Sequence, residues 1–262
     1  MTIVNMKDEK ITSLCETEKL RDICAKNNNP LLFKKLYAEN YEDFLNLNTG
    51  SIWDKLNRET YSHLNKSSIY KDKIKIVIHL LSQGNGNLLD IGFGNGIIER
   101  KLDKSNYRLF GIDISQKSTI VLNKANLGIF KVSGILKIPF ESNFFDYVLV
   151  LDVLEHVSPQ NTFKALSEVK RVLKKGGNLI ISIPLNEGLD NLLKTNRNVN
   201  MHVREYTSEI LKAELKYSGF LVRKEYFLYA YEKCYRIKKI LTEILFRKFK
   251  NPNLYICLSK KI

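Results

Sequence analysis

Leu88-Leu89-Asp90-Ile91-Gly92-Phe93-Gly94-Asn95-Gly96 is an apolar run that passes into a turn with three alternating glycines. The apolar residues predict a buried strand, and the stretch from Gly96 to Leu102 predicts that the turn opens onto a helix. Glycines allow positive φ and let a ligand approach where a Cβ would stand, while a helix N-terminus offers N–H groups without partners. Alone, such a loop is weak evidence. Phe110-Gly111-Ile112-Asp113-Ile114 strengthens it by putting a carboxylate at the end of the next strand, where it can accept hydrogen bonds from both hydroxyls of a ribose. The competing role for Asp113 is to cap a helix starting near Ser115.

Outward from this pair the chain alternates short β-rich runs with helical stretches, the pattern of a parallel sheet covered by helices. Strands are expected at Asn87 to Ile91, Arg108 to Ile112, Gly128 to Val132, Tyr147 to Leu151, Asn178 to Ile183, Phe220 to Leu228 and Leu254 to Leu258. Helices are expected at Lys73 to Leu81, Gly96 to Leu102, Gln116 to Ala125, Gln160 to Leu173 and Ser208 to Ser218. Residues 1–70 read as a helical extension or lid, with a joint at Asn27-Asn28-Asn29-Pro30 and helix-spaced apolar residues beyond it. Trp53 and Tyr37 lie in that stretch and could face substrate as lid residues, but aromatic stripes at helical spacing more often pack, so core contact is expected.

The 262 residues suffice for a large α/β domain, and 44% hydrophobic with 27% charged residues is ordinary globular usage. The net charge of +14 raises nucleic acid or an anionic membrane as partners. Residues 1–70 are balanced, so the excess falls on the rest, notably on 232–250 with 7 basic and 2 acidic side chains. Residues 229–250 read as a basic amphipathic helical insert between the last two strands, suited to cap the domain or to touch a bilayer peripherally. Cys15, Cys24, Cys234 and Cys257 form no Cys-x-x-Cys pair, so neither zinc nor a disulfide framework is expected, and a reducing cytosol is the expected compartment. No apolar stretch approaches the ~18 residues of a membrane span.

The glycine loop and Asp113 are followed in order by Ile138-Pro139-Phe140, Asn143-Phe144-Phe145-Asp146-Tyr147-Val148, Leu151-Asp152-Val153-Leu154-Glu155-His156-Val157, Glu168 and Arg171-Val172-Leu173-Lys174-Lys175-Gly176-Gly177. Across residues 71–262 the chain thereby resembles the class I S-adenosylmethionine-dependent methyltransferases, especially the ubiquinone- and menaquinone-type and glycan or lipid O-methyltransferases. The resemblance implies a Rossmann-like, seven-stranded, mostly parallel sheet with an antiparallel C-terminal hairpin and helices on both faces. It implies S-adenosylmethionine as cofactor: Asp90, Gly92, Gly94 and Gly96 at its methionine part with Phe93 beside them, Asp113 with Ile114 at the ribose, and Leu151 lining the site. The acidic residue that often receives the adenine amino group is missing from Val132-Ser133-Gly134-Ile135, which leaves Ser133 and the backbone of Gly134 and Ile135.

Methyl transfer from a sulfonium needs an aligned nucleophile and at most a general base. Asp152, His156 and His202 are the candidate catalytic residues, with Glu155 expected to fix its loop and His202 open to the lesser role of anchoring on Glu205. No metal is expected. The acceptor is expected to be oxygen on a small-molecule, lipid-linked or glycan-linked group; the alternatives are an RNA methyltransferase, for which no RNA-binding module is visible, and a non-catalytic S-adenosylmethionine-binding partner protein.

Overall fold

The computed structural model describes residues 48–56, 67–102, 106–158, 161–189, 201–231, 238 and 251–262. Seven strands are formed by Gly86–Ile91 (β1), Tyr107–Asp113 (β2), Ile129–Val132 (β3), Phe145–Leu151 (β4), Leu173–Pro184 (β5), Phe220–Leu228 (β6) and Leu254–Lys261 (β7). They make one sheet in the order β3-β2-β1-β4-β5-β7-β6. The first five strands are parallel, and β7 inserts antiparallel between β5 and β6. The expected mostly parallel α/β sheet with its C-terminal hairpin is the observed one.

Side chains alternate across each strand, so Leu88 and Leu89 enter opposite cores. On one face Leu89, Ile91, Val148, Leu179 and Ile181 pack under Ala165, Leu166 and Val169 of α4 (Thr162–Val172) and Ile210, Leu211 and Leu215 of α5 (Ser208–Tyr217). On the other, Leu88, Leu149, Ile180 and Ile256 meet Ile74, Val77 and Leu81 of α1 (Ser68–Leu81) and Ile98 of α2 (Ile97–Lys101). A further helix, α3 (Gln116–Lys124), covers β2 and β3. The chain leaves β1 toward β2 and β3, then returns to lay β4 on the other flank of β1. That reversal opens a crevice at the carboxyl ends of β1 and β4.

Three local expectations are corrected. Helix α1 begins at Ser68 rather than Lys73, so the boundary drawn between residues 70 and 71 falls inside one helix. Strand β5 begins at Leu173, where the helix was expected to end: Leu173 pairs with Phe145, and the ladder resumes at Asn178 opposite Tyr147, with the residues between bulged out and Gly176 at φ +73°. Ser115 itself caps α3, its hydroxyl accepting from the Ser118 N–H, so Asp113 is not the capping side chain. Tyr37 and nearly all of the 229–250 insert lie outside the described residues.

Candidate functional site

The crevice is a cavity of about 660 Å³. One wall is the glycine turn, where Gly92, Gly94 and Gly96 take φ of +77°, +54° and +67°. A Cβ on Gly92 would stand 2.7 Å from Val153 Cγ2, so the turn packs too tightly for any larger residue. Gly92, Phe93 and Gly94 line the cavity. Gly96, expected at the ligand, instead serves as the left-handed N-cap of α2 against Leu122.

Asp113 is fixed by two backbone donors, Gly94 N–H to Oδ2 at 2.9 Å and Ser115 N–H to Oδ1 at 2.7 Å. A carboxylate offers about four lone-pair sites, so Asp113, which lines the cavity, keeps acceptor capacity beyond its backbone donors, Ile114 among them. Burial raises the Asp113 pKa against the lowering effect of these N–H groups. Ile114, Gly134, Ile135 and Leu151 also line the cavity, as expected, and so does Ser133, whose hydroxyl donates to the Lys137 carbonyl at 2.7 Å and remains an acceptor. The loop carrying these residues is tied to α4: Arg171 donates to the carbonyls of Ile138 and Phe140 at 2.8 Å, and Glu168 accepts from the Ile138 N–H at 2.9 Å.

Asp90 lines the cavity with Oδ1 unsatisfied. Behind it Glu99 is fully buried, and neither of its carboxyl oxygens meets a protein donor. Burial, then the neighbouring Glu99, raises the Asp90 pKa well above the carboxylate range, and burial pushes Glu99 up to about 7. Lys73 of α1, 4% exposed, is the lysine of the lining and is ion-paired to Asp152. Asp152 sits at φ +55°, locked by its N–H to the Ser182 carbonyl and by the Ser182 hydroxyl at 2.6 Å. Burial opposes ionisation of Asp152, yet Lys73 and the Ser182 hydroxyl hold its pKa below the ordinary value. Asp152 therefore stands as a paired carboxylate in the wall.

The opposite wall brings His156 and His202 edge to face, with ring centroids 4.8 Å apart. Nδ1 of His202 lies 2.8 and 2.9 Å from the two oxygens of Glu187, which replaces Glu205 as its anchor; Glu205 instead accepts from the N–H groups of Gly188 and Leu189. With the proton on Nδ1 facing Glu187, Nε2 carries the lone pair. Burial first, then His202, pulls the His156 pKa down to about 3, so that ring is neutral. Glu155 is fully buried with both oxygens unsatisfied, Oε1 being 4.0 Å from His202 Nε2. Among the described residues Glu155, His156 and His202 could hold a metal ion, one donor atom of each lying within 4.8 Å of the others.

Residues 48–56 lie against the cavity, with Asn48 and Trp53 in its lining. Asp54 accepts from the Ser115 hydroxyl at 2.5 Å and the Lys117 N–H at 3.0 Å, Gly50 abuts the Ile114 carbonyl, and Asn48 donates to the Met201 carbonyl at 3.1 Å. Trp53 lines the cavity and meets the His156 ring edge-on at 5.2 Å, so it is a wall of the site rather than the core residue expected.

Residues 89–181 match the family model of a methyltransferase domain. That span holds the glycine turn, Asp113 and the Asp152–His156 segment. The chain is 33% identical over 115 residues to an uncharacterized protein of Methanocaldococcus jannaschii, covering 44% of this chain and 52% of that protein. It is 35% identical over 96 residues to the tRNA (carboxymethyluridine(34)-5-O)-methyltransferase of Schizosaccharomyces pombe, covering 36% and 40%. The chain thus spans about half or less of the length of these curated relatives. In fold it is similar to the 1,6-didemethyltoxoflavin-N1-methyltransferase of Burkholderia thailandensis, with a TM-score of 0.59 at 15% identity over 85% of this chain and 89% of that one. S-adenosylmethionine is the cofactor of the methyltransferase domain, and the cavity fits it: an unsatisfied buried Asp90 oxygen suits an ammonium, the Asp113 carboxylate in the lining suits ribose hydroxyls, and the Cβ-free turn admits close approach.

Proposed function

We propose that the chain is an S-adenosylmethionine-dependent methyltransferase acting on oxygen of a small-molecule, lipid-linked or glycan-linked acceptor. The observation that carries this reading is one cavity lined both by cofactor-type residues and by the His202–Glu187 pair. When bound, S-adenosylmethionine supplies an electrophilic methyl group on a sulfonium sulfur. Asp113 would hold the ribose hydroxyls, Asp90 the ammonium, and the backbone near Gly134 and Ile135 the adenine, with Ser133 as an acceptor. His202 Nε2 would take the acceptor hydroxyl's proton as its oxygen bonds to the methyl carbon and the carbon–sulfur bond breaks, the electron pair leaving on sulfur as a neutral thioether, and Glu187 would stabilise the charged ring that results. Asp152 orders the wall through Lys73 and Ser182, and neutral His156 with Trp53 supplies apolar surface that keeps water off the nucleophile. Residues 48–56 cover the bound reactants as a lid.

Calorimetric titration with S-adenosylhomocysteine, followed by methyl transfer from labelled S-adenosylmethionine into fractionated cell extract, tests the reading. Binding lost in Asp113→Ala and turnover lost in His202→Ala support it. Absence of binding to the unaltered protein defeats it, and full turnover in His202→Ala removes that residue from the chemistry. An RNA acceptor is the second reading, supported by the charge of +14 and by the similarity to a tRNA methyltransferase; label recovered in RNA would establish it. Peripheral membrane contact through 229–250 is tested by flotation with anionic liposomes at low salt, where absence of binding rejects it.

A further inference from the structure

We propose that Glu99, acting through Asp90, positions the amino-acid end of the cofactor by forming a carboxyl pair that gives up a proton as the cofactor's α-ammonium binds. The inference rests on the S-adenosylmethionine reading. Glu99 is a positioning residue: it is 0% exposed on α2, behind the cavity wall, while Asp90 faces the cavity. Three oxygens, Asp90 Oδ1 and both of Glu99, meet no donor in the protein. Two carboxylates in contact repel, and a hydrogen bond between them exists only when one carries a proton.

The groups facing the pair do not relieve it. Asp113 from β2 adds negative charge, Tyr70 of α1 is neutral, Lys73 of α1 is already paired with Asp152, and Arg100 favours an ionised Glu99 without bonding to it. Burial raises both carboxyls, Glu99 to about 7, so the empty pair takes up protons toward acid pH. An arriving ammonium brings N–H donors to Asp90 Oδ1 and a positive charge beside it. One O–H bond of the pair then breaks and its proton passes to the buffer. The remaining proton bridges Asp90 and Glu99, and the pair carries the single negative charge that matches the ammonium.

Calorimetry of S-adenosylhomocysteine binding at pH 6.0, in two buffers of different ionisation enthalpy, counts the protons released. The expected result is release approaching about one proton per ligand at pH 6.0, falling toward zero by pH 8, with affinity rising up to about tenfold per pH unit over the acid part of that range. 5′-Methylthioadenosine carries the same nucleoside but no ammonium and is expected to bind without the release, which separates the pair from Asp113. Glu99→Gln offers Asp90 an amide donor in place of a second carboxyl and is expected to diminish both the release and the affinity. Binding of S-adenosylhomocysteine without release at pH 6.0, equal release with 5′-methylthioadenosine, or undiminished release in Glu99→Gln overturns the inference. The two-ligand comparison on unaltered protein stands without the variant. Failure of both ligands to bind overturns the cofactor reading, and this inference with it.

Discussion

Arg204→Met is expected to destabilise the protein by about 3–5 kcal/mol, the cost of leaving a buried charge without its partner. The Arg204 side chain is 0% exposed and donates to Glu214 Oε1 at 2.5 Å, Tyr206 Oη at 2.8 Å and Thr162 Oγ1 at 3.3 Å. Methionine retains most of the volume, so the loss falls on Glu214, 1% exposed, whose pKa burial already raises despite the opposing Arg204 and Tyr206. A carboxyl raised in the folded state costs stability as pH climbs above its unfolded value. The deficit of the variant is therefore greatest near pH 8 and narrows as Glu214 takes a proton toward pH 5. In a chain of this size the shift is on the order of 10 °C in Tm. Urea unfolding of the wild type, Arg204→Met and Arg204→Met with Glu214→Leu measures it; the double variant removes both charges and is expected to recover most of the loss. A single variant costing under ~1 kcal/mol, or a double variant as unstable as the single, refutes the reasoning. Arg204 also ties the segment carrying His202 to α4 and α5, so turnover falls with stability.

Glu187→Gln is expected to lower kcat by roughly 10²–10⁴ with little change in KM, because the amide no longer fixes the His202 tautomer; unchanged kcat in steady-state assays removes the pair from catalysis. Gly96→Ala combines φ +67° with a Cβ 2.7 Å from Leu122 Cδ2 and is expected to cost about 2–3 kcal/mol in chemical denaturation, with a neutral result contradicting the tight packing. Glu99, raised from 4.5 to about 7, withdraws about 3 kcal/mol of stability as pH rises between those values, so Glu99→Gln gives a flatter stability profile than the ligand-free wild type; superimposable profiles reject this. Turnover is expected to survive chelation by EDTA; loss restored by added Mn²⁺ reassigns His202 from base to metal ligand.

The fold was legible because its cues are local. Each buried parallel strand is a short apolar run, and the Asp90–Gly94 and Ile112–Ile114 stretches at the strand ends supply residues that meet the cavity. Where contacts are long-range the sequence was silent. Glu187 and His202 are 15 positions apart with no periodicity joining them, whereas the nearer Glu205 offered a plausible but wrong anchor. Lys73 is one of three lysines in α1, beside Lys71 and Lys75, and only the packing of α1 across β1 and β4 delivers it to Asp152, 79 residues away. No spacing cue marks Glu99, which lies in the five-residue helix α2 and is completely buried. Trp53 was read as core because helical spacing identifies a buried face without saying what lies beneath it.

Residues 48–56 bond to both rims of the cavity, to Ser115 and Lys117 beside the ribose residues and to Met201 beside His202. On the proposed lid reading, a segment anchored on both sides would couple the fate of the two ligands, the spent cofactor leaving only when the roof detaches from the acceptor's rim as well. Such an arrangement favours ordered kinetics, in which the nucleoside enters first and departs last. Turnover is then paced by escape of the demethylated product, with a pre-steady-state burst of one methyl group per active site.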